Sequence, residues 1–143
     1  MICACTLQAT ATGKQPRLTD DELMTLVQKQ TFRYFWDFAH PESGLARERS
    51  NDRLEIATIG GSGFGVMAII VGVERGFITR EQGAERLLKI VEFLNKADSY
   101  HGIWAHWMDG ATGKTIPFSR KDDGADLVES AFMFEGLLAA QQY

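Results

Sequence analysis

The sequence predicts an all-α fold: four helices and one small β-hairpin, arranged as part of a two-layered α/α toroid. Three observations predict it. Apolar residues recur at helical spacing in four segments. The segments alternate between amphipathic and apolar nearly all round. Their connections are long, short and long, which sets neighbouring helices antiparallel. Amphipathic helices outside and enclosed helices inside make two concentric layers, and four helices cannot close such a ring. A freestanding four-helix bundle is the alternative. It would leave every helix a solvent face, and two nearly all-apolar helices count against it.

The first helix opens at "TDDE", where Thr19 and Glu22 form a capping box. Leu23, Leu26, Val27, Tyr34, Phe35 and Phe38 supply its buried side, and His40-Pro41 ends it because the residue before proline avoids the α region. The second, about Ser62 to Arg75, is apolar on every side, and Gly63, Gly65 and Gly72 permit close backbone approach. Gly76 stops it. The third starts at a second box, Thr79 with Gln82, and sets Ala84, Leu87, Leu88, Val91 and Leu94 against a charged face. The fourth, from about Gly124, is again enclosed and reaches "LLAAQQY" without a stop signal, so the sequence reads as the N-terminal part of a longer, truncated protein.

Between the third and fourth helices, Ile103 to Met108 and Thr115 to Phe118 read as the two strands of a hairpin, turned at Asp109, Gly110, Thr112 and Gly113. Trp104 and His106 then share one face, with Trp107 on the other. "DGATGKT" is no phosphate loop, since Met108 stands where its first glycine belongs, and "GGSGFGV" lacks the third glycine of a dinucleotide fingerprint.

At 143 residues, with 45% hydrophobic and 24% charged side chains, the chain has the size and composition of one globular domain. A net charge of −4 without a run of Lys and Arg argues against nucleic acid as a partner. Residues 1–18 read as a flexible tether or leader remnant and 19–143 as the helical domain. No run is apolar enough to cross a membrane. "ICAC" fits a lipoprotein processing site with Cys5 as a candidate lipid anchor, which places the folded part outside the cytoplasm. An arbitrary start within a leader is the alternative. The cysteines Cys3 and Cys5 cannot build a disulfide framework, nor complete a zinc site without a distant His.

"RKDDGADLVESAFMFEGLLAA" carries the chemistry. Asp122, Asp126 and Glu129, spaced by four and three, fall in one stripe of a helix whose remaining circumference is apolar. Asp123 is explained by the positive end of the helix; Glu129 lies too far along for that. Three carboxylates in a water-poor stripe raise the proton affinity of at least one, unless a cation or hydrogen bonds intervene, and a general acid needs such a proton. Sugar or catalytic use and structural ion pairing with Arg47, Arg49, Arg120 or Lys121 stay open, with a calcium site behind both. Trp104, His106 and Trp107 either cover the helical core or stack on sugar rings.

"TFRYFWDFAHPESGLARERS", "TIGGSGFGVMAIIVGVERGFI" and "GIWAHWMDGATGKTIPFSRKDDGADLVESAFMFEGLLAA" occur in that order and together resemble the N-terminal part of the glucoamylase-like endo-β-1,2-glucanases of glycoside hydrolase family 144. The resemblance covers roughly residues 20–143. It implies an (α/α)6 barrel, periplasmic or cell-surface secretion by a Gram-negative bacterium, and endo-acting, inverting cleavage of β-1,2-glucan with no cofactor and no metal. By the same resemblance Asp122, Asp126 and Glu129 line the cleft as catalytic candidates, with Arg47, Glu48, Trp104, His106, Trp107 and Lys121 as substrate-binding candidates. Inversion needs a carboxyl pair about 6.5–9.5 Å apart, so the opposing member is expected on a part of the barrel beyond this chain, which alone is expected to be inactive. A non-catalytic carbohydrate-binding helical module is the alternative function.

Overall fold

The computed structural model describes residues 17–51 and 53–143. Apart from Arg17 and Leu18, the tether expected over residues 1–18 lies outside them, as do Cys3 and Cys5. Four helices carry the fold: α1 (Asp20–Trp36), α2 (Ile59–Glu74), α3 (Arg80–Leu94) and α4 (Leu127–Gln142). Among the described residues no helix is long and apolar enough to cross a membrane.

Both expected capping boxes form. The Thr19 hydroxyl accepts from Glu22 N while the Glu22 carboxylate accepts from Thr19 N, and Thr79 and Gln82 repeat the arrangement on α3. α1 ends at Trp36, short of His40. The Asp37 and Phe38 amides both donate to the Arg33 carbonyl and close the helix there. His40 instead anchors the following loop. Its backbone N–H donates to Leu45 O, its carbonyl accepts from Gly44 N, and its buried imidazole lies 3.0 Å from Glu55.

α2 touches all three other helices. Antiparallel to it, α1 lays Phe32 on Gly72 and Phe35 on Gly65. These contacts use only the C-terminal half of α1, so the apolar side expected along its whole length is buried at Phe32, while Leu23, Met24, Leu26 and Val27 stay exposed. α3 packs through Gly83, beneath Ile69 and Val73, and through Ile90 and Leu94. That contact line rotates its buried face away from the expected one, leaving Leu88 and Val91 in solvent.

α4 runs parallel to α2 at close range. A Cβ on Gly63 would overlap the Phe132 carbonyl, and one on Gly136 would overlap the Gly63 carbonyl. The two helices meet backbone to backbone, which needs residues without side chains on both sides. Met133, Val66 and Ile69 fill the core beside them with no appreciable exposure. Neither α2 nor α4 is enclosed. Phe64, Met67 and Val71 on α2, and Leu127, Val128, Phe132 and Leu138 on α4, stay exposed because the neighbours among the described residues do not cover the whole circumference of either helix.

Over the shared N-terminal end of α2 and α4 lies a small sheet, ordered β1 (Ile56–Thr58), β4 (Trp107–Asp109), β5 (Thr115–Ile116) and antiparallel throughout. The single hairpin expected from Ile103 onward is split. Ile103 and Trp104 form β3, which pairs back with β2 (Ser99–Tyr100) across a two-residue turn. His101 and Gly102 both take positive φ there, 52° and 82°, the combination such tight hairpins favour. Only Trp107 onward pairs with the expected partner strand, and β1 on its other side has no expectation behind it.

The turn between β4 and β5 hangs on Asp109, whose carboxylate accepts from Ala111 N, Thr112 N and the Thr112 hydroxyl at 3.0, 2.7 and 2.8 Å. The Thr112 hydroxyl, helped by the two amides, holds this carboxyl below its ordinary range despite partial burial. A folded-state value below the unfolded one means the stabilisation is complete above about pH 3.9 and fades as pH falls through the lower folded value. Asp109→Ala is therefore expected to cost about 1 kcal/mol in urea unfolding at pH 7, with the gap to the parent narrowing in acid. Gly63→Ala should destabilise by about 1–3 kcal/mol or more, because a backbone carbonyl cannot move aside. Gly124→Ala, with no atom within 4 Å of the added Cβ, should lie within about 0.5 kcal/mol of the parent.

Candidate active site

The acids of "DDGADLVE" do not share a helical stripe. α4 begins at Leu127, with Asp126 as its N-cap in extended conformation and Asp122 in the turn before it. Asp126 Oδ1 accepts from the Val128 and Glu129 amides at 2.9 and 3.0 Å, and capping stops the helix from continuing back to Gly124. Asp122 is fixed separately: its carbonyl accepts from Phe118 N and Ser119 N, and its amide donates to Ser119 O. Of the three, only Glu129 sits within the helix.

His106 gathers them. Its Nδ1 lies 3.2 Å from Asp126 Oδ2 and 3.8 Å from Asp122 Oδ2, and its Nε2 lies 3.8 Å from Glu129 Oε1. The imidazole thus has carboxylates on both edges, all four groups being partly buried. Its backbone carbonyl accepts from Ile59 N at the start of α2. The ring is stacked on Phe118, with centroids 4.1 Å apart and planes within 14°. One ligand atom each from His106, Asp122 and Asp126 lie within 4.8 Å of one another, a spacing that would admit a cation; the 3.2 Å approach of the imidazole to Asp126 is the shortest of the three His106–carboxylate contacts.

Glu129 has a second tie. Its Oε2 accepts from Gly60 N at 2.9 Å and stands 3.5 Å from the Thr58 hydroxyl. Thr58, the N-cap of α2, makes no side-chain cap bond of its own. The carboxylate of α4 therefore caps α2, at the positive end of that helix. A Cβ on Gly60 would collide with the carboxylate, so Gly60 has to be glycine for the clasp to close. Capping accounts for Glu129 after all, through a neighbouring helix, which local spacing could not reveal. Asp126 and Glu129 thus each accept from backbone amides, and all three acids lie within 4 Å of the imidazole.

The remaining sequence-derived residues divide. The Arg47 guanidinium lies 4.7 Å from the Phe38 ring centroid, and its buried Nε has no acceptor among the described residues. Glu48 pairs with Arg49; that hydrogen bond outweighs burial and holds the Glu48 carboxyl below its usual range, with weaker help from Arg53 and His106. Tyr34, which donates to the Arg47 carbonyl at 2.7 Å, is pushed up by burial and then by Glu48. Trp107 is buried against Phe118 and His106. Lys121 is exposed, its amide donating to the Ser119 hydroxyl.

Trp104 stands apart from the acids. Its ring packs on Phe134, its indole N–H donates to Leu94 O at 3.2 Å, and its backbone is laced to Ser130 and Asp126. The expected pairing of Trp104 with His106 on one face fails because the chain leaves the ladder between β3 and β4, so strand alternation does not carry across. Phe118, Thr58, Gly60 and Ser130 were not expected here. The only signal for Phe118 was its place four residues before Asp122.

No family model matches the chain. An exo β-1,2-glucooligosaccharide sophorohydrolase (non-reducing end) of Parabacteroides distasonis is 55% identical over 127 residues, 88% of this chain and 18% of the relative. An endo-β-1,2-glucanase of Chitinophaga pinensis, solved with sophorotriose and glucose, superposes with a TM-score of 0.87 at 55% identity, over 89% of this chain and 32% of that one. The chain is homologous to the β-1,2-glucanases of glycoside hydrolase family 144. A candidate glucoamylase from Bacteroides uniformis is more similar still, at 82% identity and a TM-score of 0.88, over 90% of this chain and 32% of that one. The chain thus spans less than a third of the length of each of these family members.

The clasp can be tested apart from any chemistry. Glu129→Ala strips the acceptor from Gly60 N and should cost about 1–2 kcal/mol in urea unfolding, whereas Glu129→Gln, which keeps an acceptor oxygen, should lose less than half as much.

Proposed function

We propose that this chain forms one wall of the active site of a β-1,2-glucan hydrolase, and that the cluster of Asp122, Asp126 and Glu129 around His106 faces the sugar. The observation that carries this reading is the convergence of three carboxylates on one imidazole at the paired N-termini of α2 and α4, in a chain 55% identical to both an endo- and an exo-acting β-1,2-glucanase. Equal identity to an endo- and an exo-acting enzyme favours neither mode of attack. The common linkage is what the two matches support.

In this reading hydrolysis proceeds with inversion. One carboxylic acid protonates the glycosidic oxygen, and a carboxylate on the far side of the ring draws a proton from the attacking water. Asp122 and Asp126 are the better placed of the three to meet substrate. Asp122 makes no hydrogen bond through its side chain to a backbone amide among the described residues, and Asp126 keeps Oδ2 clear of its capping role. Glu129 is committed on Oε2 and serves mainly to fix the geometry. The partner carboxyl across the water is assigned to the part of the family's length that this chain does not span.

A second reading, a sugar-binding module without cleavage, draws on one specific observation. Asp126 and Glu129 each have a structural bond that explains their presence. Asp122→Asn, Asp126→Asn and Glu129→Gln, made in a full-length family member carrying this segment, separate the two readings when release of short β-1,2-glucans and binding of sophorotriose are measured together. Loss of about 10²–10⁴-fold in rate at Asp122 or Asp126, with binding kept, is the expected result. Rates unchanged in all three variants would leave the binding module standing.

A further inference from the structure

The two tryptophans nearest the acids in sequence offer no free ring to a sugar: Trp107 is 8% exposed, and Trp104 is packed on Phe134 with its N–H tied to Leu94. Phe118 is different. It is 47% exposed even though one ring face lies flat against the His106 imidazole and Trp107 meets it at 66° with centroids 4.8 Å apart. The imidazole covers one ring face, so a ligand would meet the residue at the other face or the outer edge. The ring is not loose: Phe118 N donates to Asp122 O at 2.9 Å, so the turn that fixes Asp122 fixes Phe118 as well.

We infer that Phe118 is the stacking platform of a glucose subsite beside the acid cluster. A pyranose carries C–H groups on its flat faces and hydroxyls around its rim. It is bound well where an aromatic face is bordered by fixed polar groups. Here the phenyl ring supplies the face, and Asp122, His106 and Asp126 supply the border. The same ring backs the imidazole, so sugar stacked on its outer face and the nitrogens aimed at the acids are held by one side chain.

This assignment rests on the glucan reading, and its test keeps the two apart. A full-length family member carrying this segment is titrated with β-1,2-, β-1,3- and β-1,4-linked glucose trimers, following the heat of binding and saturation transfer to sugar C–H protons. The parent is expected to bind sophorotriose. Phe118→Leu, which keeps apolar cover over His106 but removes the aromatic face, should bind about tenfold more weakly, and Phe118→Trp should bind within about twofold of the parent. Leu and Trp variants that melt alike yet differ in affinity support the platform. Parent-like affinity of Phe118→Leu overturns it while leaving the glucan reading intact. Binding of a β-1,4 trimer alone, lost in Phe118→Leu, keeps the platform and overturns the linkage. Failure of the parent to bind any trimer overturns both.

Discussion

The contact between α2 and α4 is the constraint on which the rest depends. At Gly63 and Gly136 the two backbones touch with no side chain between them, so the helices run parallel with their N-termini level. Two positive helix ends side by side form a surface that attracts carboxylates. Both ends are occupied by acids from the same segment: Asp126 caps its own helix, and Glu129, one turn later, caps the neighbour. A larger residue at Gly63 would separate the helices, and Glu129 could no longer reach Gly60.

The site and the fold share residues for that reason. Asp126 uses one oxygen to start α4 and turns the other toward His106; Glu129 divides its oxygens between the α2 amide and the far edge of the same imidazole. His106 is itself held on three sides, by Ile59 through its carbonyl, by Phe118 through its ring face, and by the carboxylates through its nitrogens. Side chains fixed in this way present a preorganised set of charges, which is where polar groups in a catalytic cleft gain their effect. A substitution at Glu129 therefore disturbs the cap on α2 and the contact with the imidazole together.

Apolar surface follows a second pattern. The exposed Phe64, Met67 and Val71 of α2, and Leu127, Val128 and Leu138 of α4, form the sides that the mutual contact leaves open. A helix apolar all round needs neighbours on every side. The homologues carry more than two thirds of their length outside the stretch that matches this chain. Exposed apolar faces of this extent would favour association in isolation.

Capping boxes at Thr19 and Thr79, the four helices and the apolar character of α2 and α4 were legible in the sequence, because each is written in residues within one or two turns of each other. The sequence also singled out Asp122, Asp126 and Glu129, and the structure does bring them together around His106, though as a turn, a cap and a helix rather than one helical stripe. Tertiary structure alone decided what those acids do. His106 reaches them across 16 to 23 residues of chain, Gly60 meets Glu129 across 69, and the split of the expected hairpin turned Trp104 toward the core while leaving Phe118 at the surface. Local pattern fixes which segments become helices. Which oxygen faces which nitrogen depends on how close two backbones can come, and that was settled by a pair of glycines far apart in sequence.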